Sequence, residues 1–342
     1  MTLTTALALV GALLLLALAL HGWWSTRRLR PRKAAEAPPP AAERVEPALG
    51  AADVPLPLEA VALRTPLRRV AKLDALIDAI VPLALEAPIS GELAISHLPP
   101  TRRAGSKPFY IEGLDTETGA WEAFAPGRRY GELQAGVQLA SRSGALNEIE
   151  YSEFVQKVEA FAEAVGASAD APDMLEVVAR SRELDALSSP LDAQLTVTLR
   201  SNAVAWSVGY VQQAAARLGF VTGPVPGRMV LPAAEEGAPP VLVLSVDPQA
   251  ALADEPQAAA VRECVLTLDV PQTPESAEPF PAFHRAATTL ADDLDATAID
   301  DQGQPITLHA YAMIGQELQK LYRQLEALDL AAGSAAARRL FT

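Results

Sequence analysis

The chain has 342 residues, with 28 Lys and Arg against 42 Asp and Glu, and its formal net charge at pH 7 is −14. This charge disfavours nucleic acid as a partner, because binding to phosphate requires a clustered positive surface. Cys264 is the single cysteine, which excludes an intrachain disulfide and a thiolate zinc cage and fits a reducing compartment.

The beginning of the chain has the pattern of a transmembrane helix. Residues 3–24 contain no Asp, Glu, Lys or Arg and are dominated by Leu and Ala. At about 1.5 Å per residue they can span a hydrocarbon core of about 30 Å. A cleaved signal peptide is the alternative, but no basic region precedes the apolar run, and the run is longer than a signal h-region. We therefore predict a transmembrane anchor over 1–24.

Aromatic and basic residues mark one end of the predicted anchor. Trp23 and Trp24 lie where an interfacial aromatic belt is expected, and Arg27 and Arg28 begin a basic run. These four residues are our candidate contacts with membrane lipid. By the positive-inside rule, the chain crosses the membrane once, with only the first residue or two outside and residues 25–342 in the cytoplasm.

Residues 25–72 are predicted to be a basic juxtamembrane segment followed by a linker rich in Pro and Ala. Seven prolines and no aromatic residue lie between 34 and 66. Such a segment buries too little apolar surface to offset its ordering entropy, and its prolines favour extended polyproline II. We interpret it as a tether that holds a cytoplasmic module away from the membrane.

The pattern between 191 and 330 predicts an α+β domain. Leu195, Val197 and Leu199 alternate with polar residues, as in a half-buried strand. The order βαβββαβα favours a mostly antiparallel sheet with its helices on one face. The predicted elements are a strand at 191–200, a helix at 206–218 capped by Gly219, an edge or bulged strand within 220–231, strands at 241–246 and 264–270, a helix at 280–294, a strand at 298–299, a helix at 309–328 and a tail at 331–342.

Residues 73–190 resemble a degenerate copy of this domain. A helix predicted at 172–187 takes the place of the final helix. The spacing implies a deletion, which we place in the first helix, where the short run 90–98 substitutes for it. Chance alternation of Ala, Leu and Val is the alternative explanation. The matching segments are 78–85 with 192–199, 133–139 with 264–270, and 151–165 with 280–294.

No constellation of catalytic residues is visible in the sequence. The histidines have no partner at the spacing of metal ligands or a catalytic triad, and no phosphate-binding glycine motif is present. Cys264 lies in an apolar run and is expected to behave as a small hydrophobe. We therefore expect no cofactor, no metal, no small-molecule substrate and no enzymatic activity. A hydrolase site assembled from dispersed acids is a weaker alternative.

The order of these parts and several short motifs resemble the ZipA family of membrane-anchored bacterial cell-division proteins. The resemblance covers the whole chain, and it implies that the membrane is the bacterial inner membrane, with the amino terminus in the periplasm. It implies that the helix-free sheet face of 191–330 binds the carboxy-terminal tail of FtsZ, the tubulin-like division polymer, and tethers that polymer to the inner membrane at the division site. The motifs are His-Gly-Trp-Trp followed by bases at 21–28, the strand at 191–199, Leu-Gly-Phe at 218–220, Val-Pro at 270–271 and Ile-Asp-Asp-Gln at 299–302.

The resemblance also implies which residues contact the FtsZ tail. The family's groove is notably apolar, whereas the corresponding residues here are mostly Thr, Ser and Val, so either the affinity is lower or the partner differs. A membrane-tethered scaffold that binds another protein or itself is therefore the alternative function, and an ordinary solvated sheet face is the third interpretation. The predicted partner-binding positions are Gln194, Thr196, Thr198, Val225, Val243, Ser245, Asp247, Val265, Thr267 and Asp269.

Overall fold

The computed structural model describes residues 72–253 and 259–342. The predicted anchor, the predicted linker up to residue 71 and the candidate lipid contacts Trp23, Trp24, Arg27 and Arg28 lie outside the described residues. Among the residues described, no helix combines the length and the apolar character needed to cross a membrane. The described structure belongs to the α+β class with antiparallel sheets, which confirms the predicted class.

The described residues form two compact units, and the chain leaves the first unit and later returns to it. The first unit comprises 72–192 together with Ala335–Thr342, and the second comprises 193–253 and 259–334. The boundary after Asp192 lies close to the one predicted at 190. We predicted a tail at 331–342; instead, Ala335–Thr342 is part of the first unit. We call Ala335–Thr342 the return segment.

The first unit combines strands of two to ten residues with three α-helices before the chain leaves it. The longest helix is capped at both ends: Asn147 and Glu150 form a reciprocal capping box, and Gly166 adopts the left-handed conformation. In chain order its elements are β1 (Asp78–Leu85), β2 (Ile89–Ser90), α1 (Gly91–His97), β3 (Arg103–Ala104), β4 (Lys107–Asp115), β5 (Trp121–Glu122), β6 (Arg129–Gln138), β7 (Ala140–Ser141), β8 (Gly144–Ala145), α2 (Glu148–Val165), β9 (Ala167–Ala169) and α3 (Met174–Ser188).

The second unit contains all the strands and helices predicted for 191–330, with two changes and with two short elements that were not predicted, a helix at Pro248–Ala251 and a strand at Ala260–Val261. The first helix begins at Val208, because Trp206 and Ser207 pair with another strand and Ser207 caps the helix. The run 220–231 forms two strands rather than one. The elements are β10 (Gln194–Ser201), β11 (Trp206–Ser207), α4 (Val208–Ala216), β12 (Val221–Thr222), β13 (Arg228–Leu231), β14 (Leu242–Val246), α5 (Pro248–Ala251), β15 (Ala260–Val261), β16 (Glu263–Asp269), α6 (Pro279–Leu294), β17 (Ala296–Ile299) and α7 (Leu308–Ala327); α8 (Ala335–Leu340) follows in the return segment.

The main sheets of the two units have corresponding strand orders. The first sheet runs β3-β4-β6-β1-β9, and the second runs β12-β13-β14-β16-β10-β17. In the first sheet β1 lies between β6, which precedes α2 in the chain, and β9, which follows α2. In the second sheet β10 lies between β16, which precedes α6, and β17, which follows α6. The main elements of the first unit, from β1 to α3, therefore have counterparts in the second unit, from β10 to α7.

Strand register refines the match between the two units. Leu83 pairs with Leu133 in the first sheet, and Leu199 pairs with Cys264 in the second. Leu83 therefore corresponds to Leu199, whereas the sequence match aligned Leu85 with Leu199. Because side chains alternate with a period of two, this two-residue error left every side chain on its correct face.

The difference in length between the two units lies in a different place from the predicted deletion. Both units have the first helix, and serines at equivalent positions, Ser90 and Ser207, cap α1 and α4. The second unit then has the β12–β13 hairpin and a loop at 232–241, where the first unit has only β3. The difference in length therefore falls after the helix, and our placement of it within the helix was wrong.

The helices of the second unit pack on one face of its sheet. Every second residue of the central strands points into this core, which explains the alternation seen in the sequence. Phe283, Leu290 and Leu294 of α6 supply the facing side chains. The buried strand residues are Val197, Leu199, Leu242, Leu244, Cys264, Leu266 and Leu268.

Candidate functional site

The helix-free face of the second sheet brings together eight of the predicted partner-binding residues. They alternate with the buried core residues of β10, β14 and β16, so their side chains point away from the helices. None of the eight is fully buried. We call this set the open face; it consists of Gln194, Thr196, Thr198, Val243, Ser245, Val265, Thr267 and Asp269.

Cross-strand pairing arranges the open face in rows. Thr267 lies opposite Thr196 on one side and opposite Val243 on the other, which forms the central row. Val265 joins Thr198 and Ser245 in a neighbouring row. With strands about 4.8 Å apart, three strands place side chains across roughly 10 Å. The rows form a continuous surface of small, mainly β-branched side chains.

Two of the predicted positions lie elsewhere. Val225 lies in the turn between β12 and β13, where its carbonyl accepts a hydrogen bond from the Arg228 amide at 3.1 Å. Asp247 follows β14 and caps α5, with its carboxylate accepting from the Gln249 amide at 2.9 Å. The prediction that these two residues belong to the sheet face was therefore wrong.

Two valines that the sequence analysis missed extend the central row to the edge of the sheet. Val230 pairs with Val243, and Val221 pairs with Val230. Val221 is 50% exposed. The sequence contained a signal for Val230, because neighbouring residues of a strand point to opposite faces of the sheet and Met229 is buried. The Gly and Pro residues of 223–227 obscured it by interrupting the alternation.

Charges lie at the two ends of the open face and, at Arg228 opposite Ser245, on its outer side, but not in its central row. At one end Arg200 pairs with Glu263, with 2.6 Å between Nε and Oε1. At the other end the Gln194 amide donates to the Asp269 carboxylate at 3.0 Å. The central row between them carries only hydroxyl and methyl groups. The middle of the face therefore suits an uncharged, partly apolar ligand surface.

The open face is built for binding through side chains. Its strands already pair with neighbours on both sides, so their backbone groups are largely used within the sheet. Thr and Val are β-branched and rotate little about χ1. Contact with a partner therefore costs these side chains little conformational entropy.

The nucleophilic and metal-binding side chains of the described residues do not converge on a site. The His284 ring packs at a tilt against Tyr311 with ring centroids 4.3 Å apart, and His97 Nδ1 lies 3.0 Å from the Leu93 carbonyl. Burial raises the pKa of the Cys264 thiol to about 12, so the thiolate nucleophile is suppressed. In the ranges 72–253 and 259–342, no group of three His, Cys, Asp or Glu residues could hold a metal ion.

The corresponding face of the first sheet differs from the open face because other parts of the chain cover one end of it. Asp78 and Gln138 are at most 2% exposed, whereas their counterparts Gln194 and Asp269 are exposed and half-buried, respectively. Glu112 is also buried, whereas Pro82 is exposed. A Cβ on Gly136 would lie 2.6 Å from Cδ2 of Leu73. We call this set the covered face; it consists of Asp78, Ile80, Pro82, Tyr110, Glu112, Gln134, Gly136 and Gln138.

No protein-family model matches the chain, and no match to a curated protein is found. The residues of the open face and their geometry therefore carry the functional assignment.

Proposed function

We propose that this protein is a non-enzymatic, inner-membrane-anchored cell-division adaptor, in which the open face binds the carboxy-terminal tail of FtsZ. The observation that carries the proposal is the row from Thr196 through Thr267 and Val243 to Val230, which lies on the helix-free side of the sheet. A short peptide laid along this row buries methyl groups on both partners. The anchor and the Pro-rich tether would then hold the division polymer at the membrane.

The arrangement of elements supports the relationship to the ZipA family. We assign the second unit as the ZipA-like FtsZ-binding domain and the first unit as its degenerate copy. Matching strand orders and matching positions of the long helices favour duplication over chance alternation of apolar residues. Within this proposal the second unit keeps the partner site, because its face is the open one.

The chemistry of the open face predicts modest affinity. Apolar contact stabilises a complex by about 25 cal/mol per Å², so about 100 Å² less apolar contact weakens binding by about 2.5 kcal/mol. The Thr196 and Thr267 side chains, each with a hydroxyl group, offer less apolar surface than Met or Phe side chains would. We therefore expect a micromolar complex that depends on many chains acting together on one polymer.

Binding of a labelled FtsZ carboxy-terminal peptide to the purified full chain in nanodiscs tests the proposal. Val243→Glu and Val265→Glu each place a charge in the middle of the face, and each should weaken binding at least tenfold. Val225→Glu is the matched control, because Val225 is 46% exposed in the hairpin turn and should leave binding unchanged. Absence of saturable binding by the wild-type chain at millimolar peptide would refute the FtsZ assignment.

A scaffold that binds another protein, or a second copy of itself, is the alternative function. It is favoured by the polarity of the open face, where only Val243 and Val265 are apolar. Sedimentation velocity of the full chain and the two Glu variants separates the possibilities. A dimer that dissociates in both variants favours self-association through the face. A monomer without peptide binding directs the search to another protein ligand.

A further inference from the structure

The covered face holds an arginine of the return segment. Nη1 and Nη2 of Arg339 each donate to one carboxylate oxygen of Asp78, at 2.8 and 2.5 Å. The Asp78 side chain is fully buried and that of Arg339 is 16% exposed. This two-pronged geometry requires a planar guanidinium and cannot be reproduced by lysine.

Further contacts surround the same arginine. Its Cζ lies 5.1 Å from the centre of the Tyr110 ring, at a distance suited to a cation–π interaction. The Gln138 side-chain amide donates to the Arg339 carbonyl at 2.9 Å. A carboxylate, an aromatic ring and an amide therefore recognise the side chain and the backbone of one residue.

The return segment has the character of a short peptide ligand. Its six-residue helix is too short to be stable alone in water, so it is ordered by what it contacts. Leu340 and Phe341 are both 2% exposed and line a cavity with Ser141 and Ser188, so they anchor the segment to the first unit. The segment thus combines a specific cation with two large apolar side chains.

The contacted positions of the covered face have counterparts in the open face. Register places Asp78 and Gln138 opposite each other, as it places Gln194 and Asp269. The same end of the two central strands thus carries one acidic and one amide side chain in both units, but the acidic side chain is on the first strand in the first unit and on the second strand in the second unit. This end is accessible in the second unit, whereas in the first unit it is occupied by the return segment.

We propose that the covered face is a peptide-docking site whose ligand is the return segment, and that docking is reversible. The recognised chemistry is an arginine followed by large apolar side chains on a short helix. While the segment is docked, the end of the face that carries Asp78 and Gln138 is closed to a partner. Release of the segment exposes a second binding surface, selective for arginine-containing peptides.

Binding in trans tests the proposal. A variant shortened to end at Ser334 is titrated with a fluorescent peptide of residues 335–342, and fluorescence anisotropy reports binding. We expect saturable binding to the shortened chain and at least tenfold weaker binding to the intact chain, whose site is filled. Asp78→Asn in the shortened chain, or Arg339→Lys in the peptide, should each weaken binding at least tenfold. A peptide of the same composition in scrambled order controls for attraction to an acidic protein.

A second variant decides the question if the shortened chain does not fold, as judged by circular dichroism. In the intact chain, Arg339→Gln removes the cation but keeps every apolar contact, so the added wild-type peptide should gain access and bind more tightly than to the unsubstituted chain. Two results overturn the proposal: a folded shortened chain that ignores the peptide at millimolar concentration, or equal binding of the ordered and scrambled peptides. Neither readout involves FtsZ, so the outcome is independent of the function proposed for the open face.

Discussion

The buried carboxylate of Glu150 is linked to the ammonium group of Lys107 through two serine hydroxyl groups. The Ser106 hydroxyl donates to Glu150 at 2.7 Å, and the Ser143 hydroxyl donates to that of Ser106 at 3.3 Å. Lys107 Nζ donates to Ser143 at 3.1 Å and to Ser141 at 2.8 Å. This network fastens the start of α2 and the β7–β8 hairpin to the beginning of β4.

The first prediction concerns the pH dependence that this network gives to the first unit. Burial alone would raise the pKa of Glu150, but hydrogen bonds from Ser106 and Asn147 and the charge of Lys107 outweigh it, so the pKa is lowered. The ionised carboxylate therefore stabilises the fold fully above its unfolded pKa of about 4.3, and this contribution is lost as the pH falls through the lower folded value.

Glu150→Gln should accordingly lower the free energy of unfolding of the first unit by roughly 2 kcal/mol at pH 7, because an ionised acceptor is lost. The difference from the wild type should shrink towards pH 3. Urea unfolding with amide hydrogen exchange, read separately for each unit, measures both values. Glu159→Gln, on the exposed side of the same helix, is the control. A difference that stays constant between pH 7 and pH 3 would contradict this account.

The second prediction concerns Gly91 at the start of α1. A Cβ at this position would lie 1.9 Å from the carbonyl oxygen of Ala125, and the Gly91 amide is held by the Arg128 carbonyl at 2.9 Å. Because both neighbours are backbone, neither can rotate away. Gly91→Ala should destabilise the first unit by about 2 kcal/mol or more. The midpoint of thermal unfolding measures this loss. Gly131→Ala is the control variant, because its Cβ would meet only Thr116, at 3.4 Å.

The third prediction concerns the Tyr322 hydroxyl in the second unit. It is buried, and no group among the described residues forms a hydrogen bond with it. Burial, followed by the nearby charge of Glu275, raises the pKa of this phenol, so it stays neutral. Tyr322→Phe removes a polar atom that lacks a protein partner and should raise the free energy of unfolding by about 1 kcal/mol.

Tyr210→Phe is the matched control, because the Tyr210 hydroxyl donates to the Asp293 carbonyl at 3.1 Å. That substitution should lower stability by about 1 kcal/mol. Denaturant unfolding of the second unit compares the two variants directly. If Tyr322→Phe destabilises as much as Tyr210→Phe does, the hydroxyl has a stabilising partner after all.

Local patterns in the sequence predicted most of the second unit because they report burial directly. Alternation at Leu195, Val197 and Leu199 predicted β10, and the spacing of Phe283 and Leu290 predicted α6, since these residues face one core. The hairpin at 221–231 could not be placed in the same way. Its turn residues interrupt the alternation, so Val225 was assigned to a strand and Val230 was overlooked.

The candidate site likewise contains residues that a local sequence pattern could predict and residues that it could not. Positions on regular strands, such as Thr196 and Thr267, were placed correctly because the period of two fixes which face they occupy. The ion pair between Asp78 and Arg339 had no local signal, because its partners are separated by the entire second unit. Nothing in the pattern around Arg339 distinguishes a docked segment from a solvated tail.

The discontinuity of the first unit has a consequence for synthesis on the ribosome. Translation proceeds at roughly 5–20 residues per second, and domains that emerge first generally fold first. Here the segment that completes the first unit emerges only after every residue of the second. The uninterrupted second unit can therefore fold while Asp78 and Tyr110 still await Arg339. The unit nearest the amino terminus is the last to be finished, and during that interval its uncovered sheet is a surface for chaperones to protect.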